Sequence, residues 1–300
     1  MTDRLLTHTE QGLLARLISE IEEAPSTSGL ILTDVDHSLL SSAWQKAIRR
    51  SDADLATSCV MALHASDPTY VWRRIRGIAL EEVSAADLEV VGQVIAVAGK
   101  TALRQKLGDQ RLIGHLTRRL ALAPKCRTAC DLLMWLDPPR TVDWSAVQES
   151  FRSTPAPWSL QLIAQQASAW QSVVNRSTYK QGKWVQLTQG SATRRDQLLQ
   201  WAECPPLVRY IVQRGSGTDS LNSLLAPVYQ LSRTSAERFA MVDLHPSSTE
   251  QIGQLPAYAY CLFSGPGRTA LRQLLKNAPE LVRFCGQAGV TDPLRAIGHT

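Results

Sequence analysis

The sequence predicts a mainly α protein: a helical array in the first half, followed by a second helical domain with room for a short hairpin. Three observations carry this expectation. From residue 9 to residue 136, apolar side chains recur at spacings of three and four, which lines one face of a helix. The segments joining these stretches are short, as in antiparallel helical packings. Strands do not alternate with crossover helices, which argues against an open α/β sheet. With 300 residues, 44% of them hydrophobic, the chain is long enough for one large core or two ordinary ones.

The first element is TEQGLLARLISEIEE at 9–23, where Leu13, Leu14, Leu17, Ile18 and Ile21 form one apolar stripe. APSTSG at 24–29 breaks it, and TDVDHS at 33–38 offers Asp34 or Asp36 as the cap of the next helix. Helices are expected near 38–50, 53–64, 67–82, 86–98, 101–122 and 124–136. Asp67 and Pro68 serve as cap and first-turn proline, and Asp87 opens the helix after that. Near 137–158 the composition shifts to DPPRTVDW and STPAPW, which marks a boundary. The resulting division is 1–35 as helix and linker, 36–140 as one helical domain and 141–300 as another. Within the last, helices are expected near 159–174, 192–203, 206–214, 219–232, 234–242 and 267–285. GKWVQLTQG at 182–190 reads as a short strand or one arm of a hairpin.

Charge points toward a polyanionic partner. The net charge is +5 and the pI about 9.0, and arginines fall in adjacent pairs at Arg49–Arg50, Arg73–Arg74, Arg118–Arg119 and Arg194–Arg195. Guanidinium forks match phosphate oxygens well. The candidate nucleic-acid contacts are therefore Lys46, Arg49, Arg50, Arg73, Arg74, Arg76, Arg118, Arg119, Lys125, Arg127, Arg194, Arg195, Arg268 and Arg272. For any single pair, a solvated helix face explains the charge as well. SGPGRTALRQLLK at 264–276 sets Gly265, Pro266 and Gly267 before Arg268, Arg272 and Lys276 at four-residue spacing, a fair site for a backbone phosphate. Just upstream, Tyr258, Tyr260 and Phe263 offer an aromatic surface for a base, although such spacing equally suits a core.

Several chemistries are disfavoured. Six cysteines and six histidines are dispersed without metal-ligand spacing, so buried reduced thiols are expected and no metal or cofactor. AVAGKTAL at 96–103 ends like a phosphate-binding loop. The first glycine of that loop should stand at position 94, which is Val94, and the preceding strand is replaced by a helical pattern. Motifs of the easily recognised hydrolases and zinc deaminases are missing. Asp34, Asp36 and Asp243 remain as carboxylates that a base-excising enzyme would use to activate water or steady charge on the sugar, with capping the simpler role for the first two. No apolar run reaches the roughly 18 residues of a membrane span, and the N-terminal residues do not resemble a signal peptide. A cytoplasmic protein without membrane contact is expected.

Three ordered segments carry a resemblance. His37, Ser42-Ala43, Lys46, Arg49 and Ser51-Asp52 recur in this order in bacterial replication-associated recombination ATPases, the relatives of Werner-helicase-interacting protein, just after the ATPase module. DPTYVWRRIRGIALEEVSAAD at 67–87 resembles that family's Asp-Pro, Arg-Arg, Ala-x-Glu-[Asp/Glu] and Ala-Asp helix pair. Leu122, Ala123, Pro124 and Lys125 match its Leu-Ala-Pro-Lys helix start. The resemblance spans about residues 36–137. It implies a collar-like helical module related to clamp loaders, one that supports oligomerisation, but it does not extend to an ATPase module or to residues 141–300. The functional expectation is a DNA-binding protein of repair, replication or phage defence, acting on damaged, modified or forked DNA without its own ATPase. Alternatives are a DNA glycosylase that flips and excises a base, and a non-catalytic oligomeric adaptor for replication proteins.

Overall fold

A computed structural model describes residues 2–24, 32–129, 179–180, 183–184, 204–215, 221–234, 250–287 and 293–294. The fold is mainly α. Helices are α1 (Thr2–Glu23), α2 (His37–Arg49), α3 (Ala53–Ser66), α4 (Pro68–Ile78), α5 (Leu88–Ala98), α6 (Thr101–Leu107), α7 (Asp109–Leu122), α8 (Pro206–Arg214), α9 (Leu221–Thr234), α10 (Gly265–Asn277) and α11 (Pro279–Gln287). Two antiparallel strand pairs accompany them: β1 (Tyr179–Lys180) with β2 (Lys183–Trp184), and β3 (Gln251–Ile252) with β4 (Leu255–Pro256). The hairpin arm expected at 182–190 is represented by β2. The helices expected at 159–174 and 192–203, and the stretch of 234–242 beyond Thr234, lie outside the described residues.

The chain divides into two units that interleave along the sequence. One comprises Met1–Glu23, Arg73–Lys106 and Ala123–Met241; the other comprises Ala24–Trp72, Leu107–Leu122 and Val242–Thr300. In the first, α1 packs on α5 and α8, and α8 packs on α5 and α9. The apolar stripe of α1 supplies Leu6, Leu13, Leu17 and Ile21, which meet a core containing Val90, Val91, Val94, Val208, Ile211, Leu224 and Leu225. Gly92 allows this approach: a Cβ there would stand 2.9 Å from Leu207 Cδ1 and 3.1 Å from Leu13 Cδ1. α4 does not continue to residue 82 as the periodicity suggests. A π turn (Ala79–Val83) and a 3₁₀ turn (Ser84–Ala86) follow it, with Ser84 at a φ of 47°.

In the second unit, α2 packs on α3, and both pack on α7. Asp36 caps α2 by accepting from Ser38 N (2.9 Å) and Leu39 N (3.1 Å), and Asp52 caps α3 through Leu55 N (3.0 Å). Leu39, Leu40, Trp44, Ile48, Val60, Leu63, Leu112, Ile113 and Leu116 are buried, each contributing about 1.5–3 kcal/mol relative to exposure. His64 Nε2 and Trp72 Nε1 meet Asp109 Oδ2 at 2.6 and 3.0 Å, joining the end of α3 to the start of α7. The single helix expected at 101–122 is broken at Gly108, whose φ of 86° suits glycine and separates α6 from α7. The helix expected at 267–285 is likewise two helices. Pro279 has no backbone N–H to give a continuous ladder and instead opens α11.

Candidate functional site

On α2, residues four apart share a face, and Ser38, Ser42, Lys46 and Arg50 follow that spacing to the helix end. All four engage the segment at 257–265. Gly265 N donates to Ser38 Oγ at 2.7 Å, and Ser42 Oγ lies 3.2 Å from Cys261 Sγ. Lys46 Nζ donates to Tyr258 O at 2.5 Å, and the Arg50 guanidinium lies 4.2 Å from the centroid of the Tyr258 ring. Two of the candidate nucleic-acid contacts on α2, Lys46 and Arg50, thus hold another part of the chain, while Arg49 is half-buried.

The electrostatics follow from this burial. Desolvation lowers the Lys46 pKa below the usual lysine value, countered by Cys261, while Arg49 and Arg50 add to the lowering. Burial pushes the Tyr258 phenol up to about 12, with Asp52 adding to the shift and Arg50 opposing it. For Cys261, burial alone would raise the thiol. Hydrogen bonds from Ser42, Lys46 and the Phe263 N–H, together with the Lys46 charge, outweigh burial and bring it below the usual thiol value.

The remaining candidates are distributed as follows. Arg118 pairs with Asp54 at 2.8 Å and Arg74 with Glu81 at 3.4 Å; Arg73 is exposed, and Arg76 and Arg119 are half-buried. Lys125 and Arg127 are drawn to Glu82, which is fully buried: Arg127 Nε lies 3.5 Å from Glu82 Oε2, and Cys126 N donates to Glu82 O at 2.9 Å. This contact holds residues 124–127 out of the helix expected to begin at 124, and helical structure starts at Thr128. Desolvation lowers Lys125 to about 8 against the pull of Glu82. Asp34 is exposed at a φ of 54°, and the Asp36 carboxylate is committed to its cap, where Ser38 and the local backbone hold its pKa down. Asp243, Arg194 and Arg195 lie outside the described residues. Among the described residues, no group of three or more His, Cys, Asp or Glu is placed to hold a metal.

Arg268 and Arg272 stand differently. With Lys276 they form an exposed stripe on α10, and none of the three side chains has an ion pair or hydrogen bond among the described residues. The two helices α10 and α11 carry four cations, counting Arg283, against one carboxylate, Glu280. Phe263 and Phe284 are 65% and 67% exposed, and Leu274 and Val282 are exposed as well. The start of α10 is not the open anion site that its glycines suggest. Gly267 N donates to the Ser264 cap at 3.2 Å, Gly265 N to Ser38, and Arg268 N to Ser264 O. Gly267 serves packing instead, since a Cβ there would collide with the backbone N and O of Cys261.

Sequence reasoning did not anticipate the Ser42–Cys261–Lys46 cluster. Its one local signal is the four-residue spacing on α2. In Gly99 and Val94 the structure agrees with the sequence: α5 runs through Val94 and ends at Gly99, and Lys100 pairs with Glu10 at 2.5 Å. Comparison of the chain with family models, curated proteins and solved structures finds no match.

Proposed function

We propose that the protein binds DNA in repair, replication or phage defence, with α10 and α11 as the contact surface. The observation that supports this reading is the exposed Arg268, Arg272 and Lys276 stripe on α10, with Phe263 just before that helix and Phe284 on α11 exposed as well. Elsewhere, Arg74, Arg118 and Arg127 face carboxylates, whereas these cations remain available to phosphate. Because the first amides of α10 are already bonded, phosphate contact falls to side chains. Exposed phenyl rings stack on unpaired bases at little cost in specificity, so a single strand, or the single-stranded part of a damaged or forked substrate, is the favoured ligand.

Fluorescence anisotropy with single-stranded, duplex and forked oligonucleotides tests this. Affinity should fall steeply with added salt, and Arg268→Ala/Arg272→Ala/Lys276→Ala should flatten the log–log salt slope by about 2, at roughly 0.7 per phosphate contact on a single strand. Phe263→Ala should weaken single-strand binding by about 1–3 kcal/mol if a base stacks there. Lack of binding to all three substrates at low salt overturns the proposal.

A further inference from the structure

Three donors converge on one sulfur. Cys261 Sγ is met by Ser42 Oγ, by Lys46 Nζ and by the backbone N–H of Phe263, and Lys46 is itself tethered to Tyr258 O. Among the described cysteines, Cys59, Cys126, Cys204 and Cys285 are buried, and Cys261 alone is partly open to solvent. An ammonium, a hydroxyl and a peptide N–H around a reachable sulfur stabilise the thiolate, which is the nucleophilic form. The cluster adjoins the proposed DNA contact surface through Phe263, whose backbone N–H serves the sulfur while its ring is exposed, but the chemistry at the sulfur does not depend on DNA binding.

We propose that Cys261 is a site of oxidative modification, whose thiolate takes the terminal oxygen of a hydroperoxide while Lys46 supplies a proton to the departing oxygen. In this step the S–O bond forms and the O–O bond breaks. Sulfur loses two electrons to the peroxide, and the leaving alkoxide or hydroxide takes the Lys46 proton to become alcohol or water. The product is a Cys261 sulfenic acid, and the Lys46 amine regains its proton from solvent. The charged and titratable groups around this site include Lys46, Arg49 and Arg50 from α2 and Tyr258 from the 3₁₀ turn (Ala257–Ala259), and Tyr258 in turn interacts with Asp52 and Cys59 at α3. By contrast, burial pushes the Cys59 thiol up to about 12 and the Cys204 thiol up to about 11, which makes them internal controls.

The test uses the full chain, dilute hydrogen peroxide and dimedone, with peptide mass spectrometry at each cysteine. Adduct should appear on Cys261 ahead of Cys59, Cys126, Cys204 and Cys285. Lys46→Met should slow it by about tenfold for each unit of thiol pKa it restores, Ser42→Ala should slow it less, and Lys46→Arg should retain part of the rate. Circular dichroism establishes which variants are folded. Should Lys46→Met fail to fold, the wild-type rate of iodoacetamide alkylation against pH decides alone, with a midpoint expected below the free-cysteine value of about 8.5. Equal labelling of Cys261 and the buried cysteines, or a midpoint at or above that of free cysteine, overturns the proposal.

Discussion

Lys125 shows how a single residue can look like a surface cation and behave as a core one. In the folded protein it is buried near Glu82, and desolvation lowers its pKa from 10.5 to about 8. Between those values the unfolded chain holds a proton on Lys125 that the folded chain has released. Unfolding therefore takes up a proton, and stability rises with pH across the window; below it the folded state carries the cost of a buried charge. Urea unfolding between pH 8 and 10.5 should show wild-type stability gaining on that of Lys125→Met as pH rises. A constant difference between the two proteins would place Lys125 in solvent. Lys125 and Glu82 are visible in the sequence by type and position. That they meet is legible only in three dimensions, because Cys126 N must reach Glu82 O across the whole of α5, α6 and α7.

At the scale of elements, one face of α2 organises the region. Ser38, Ser42, Lys46 and Arg50 each take at least one contact from residues 257–265, so the helix acts as a rail on which that segment is laid. The segment must also fit against α10, and the close pass of Cys261 backbone over Gly267 sets that fit. Gly267→Ala is expected to destabilise the protein by about 1–3 kcal/mol through overpacking, despite the better helix propensity of alanine. A denaturant midpoint equal to wild type would show that the segment lifts away without cost. The basic helix itself, a start at Asp34 or Asp36 and the Ser51-Asp52 stop are readable in the sequence because capping and periodicity are local; the structure selects Asp36. The direction its cations face is not, since the partner of Lys46 lies 212 residues further along the chain.

Over the whole molecule, burial is uneven in the unit that holds α2, α3 and α7. Those helices carry most of its buried apolar side chains, whereas α10 buries only Gly267 and α11 only Cys285. Amides held by few apolar contacts open at lower free energy. Hydrogen exchange should accordingly reach α10 and α11 well before α2, α3 and α7; matching protection across the five helices would mean that α10 and α11 are covered in solution. Their exposure also leaves Arg268, Arg272 and Lys276 at the surface, as the proposed DNA contact requires. Among the described residues, no helix is long and apolar enough to cross a membrane.

From the sequence alone come the mainly α class, the α1 stripe, the caps at Asp67 and Asp87, a cap at either Asp34 or Asp36, and the mismatch to a phosphate-binding loop at Val94, because each rests on residues within one or two helical turns. Breaks at Gly108 and Pro279 were also written locally, in residue types that end or open helices, although periodicity reads through them. Tertiary structure alone decided which cations are engaged among the described residues, and it alone assembled Cys261 with Ser42 and Lys46. The basic face of α2 is the clearest case. Helical spacing aligns its four residues, but only the return of a distant segment determines that Lys46 and Arg50 meet a carbonyl and an aromatic ring there.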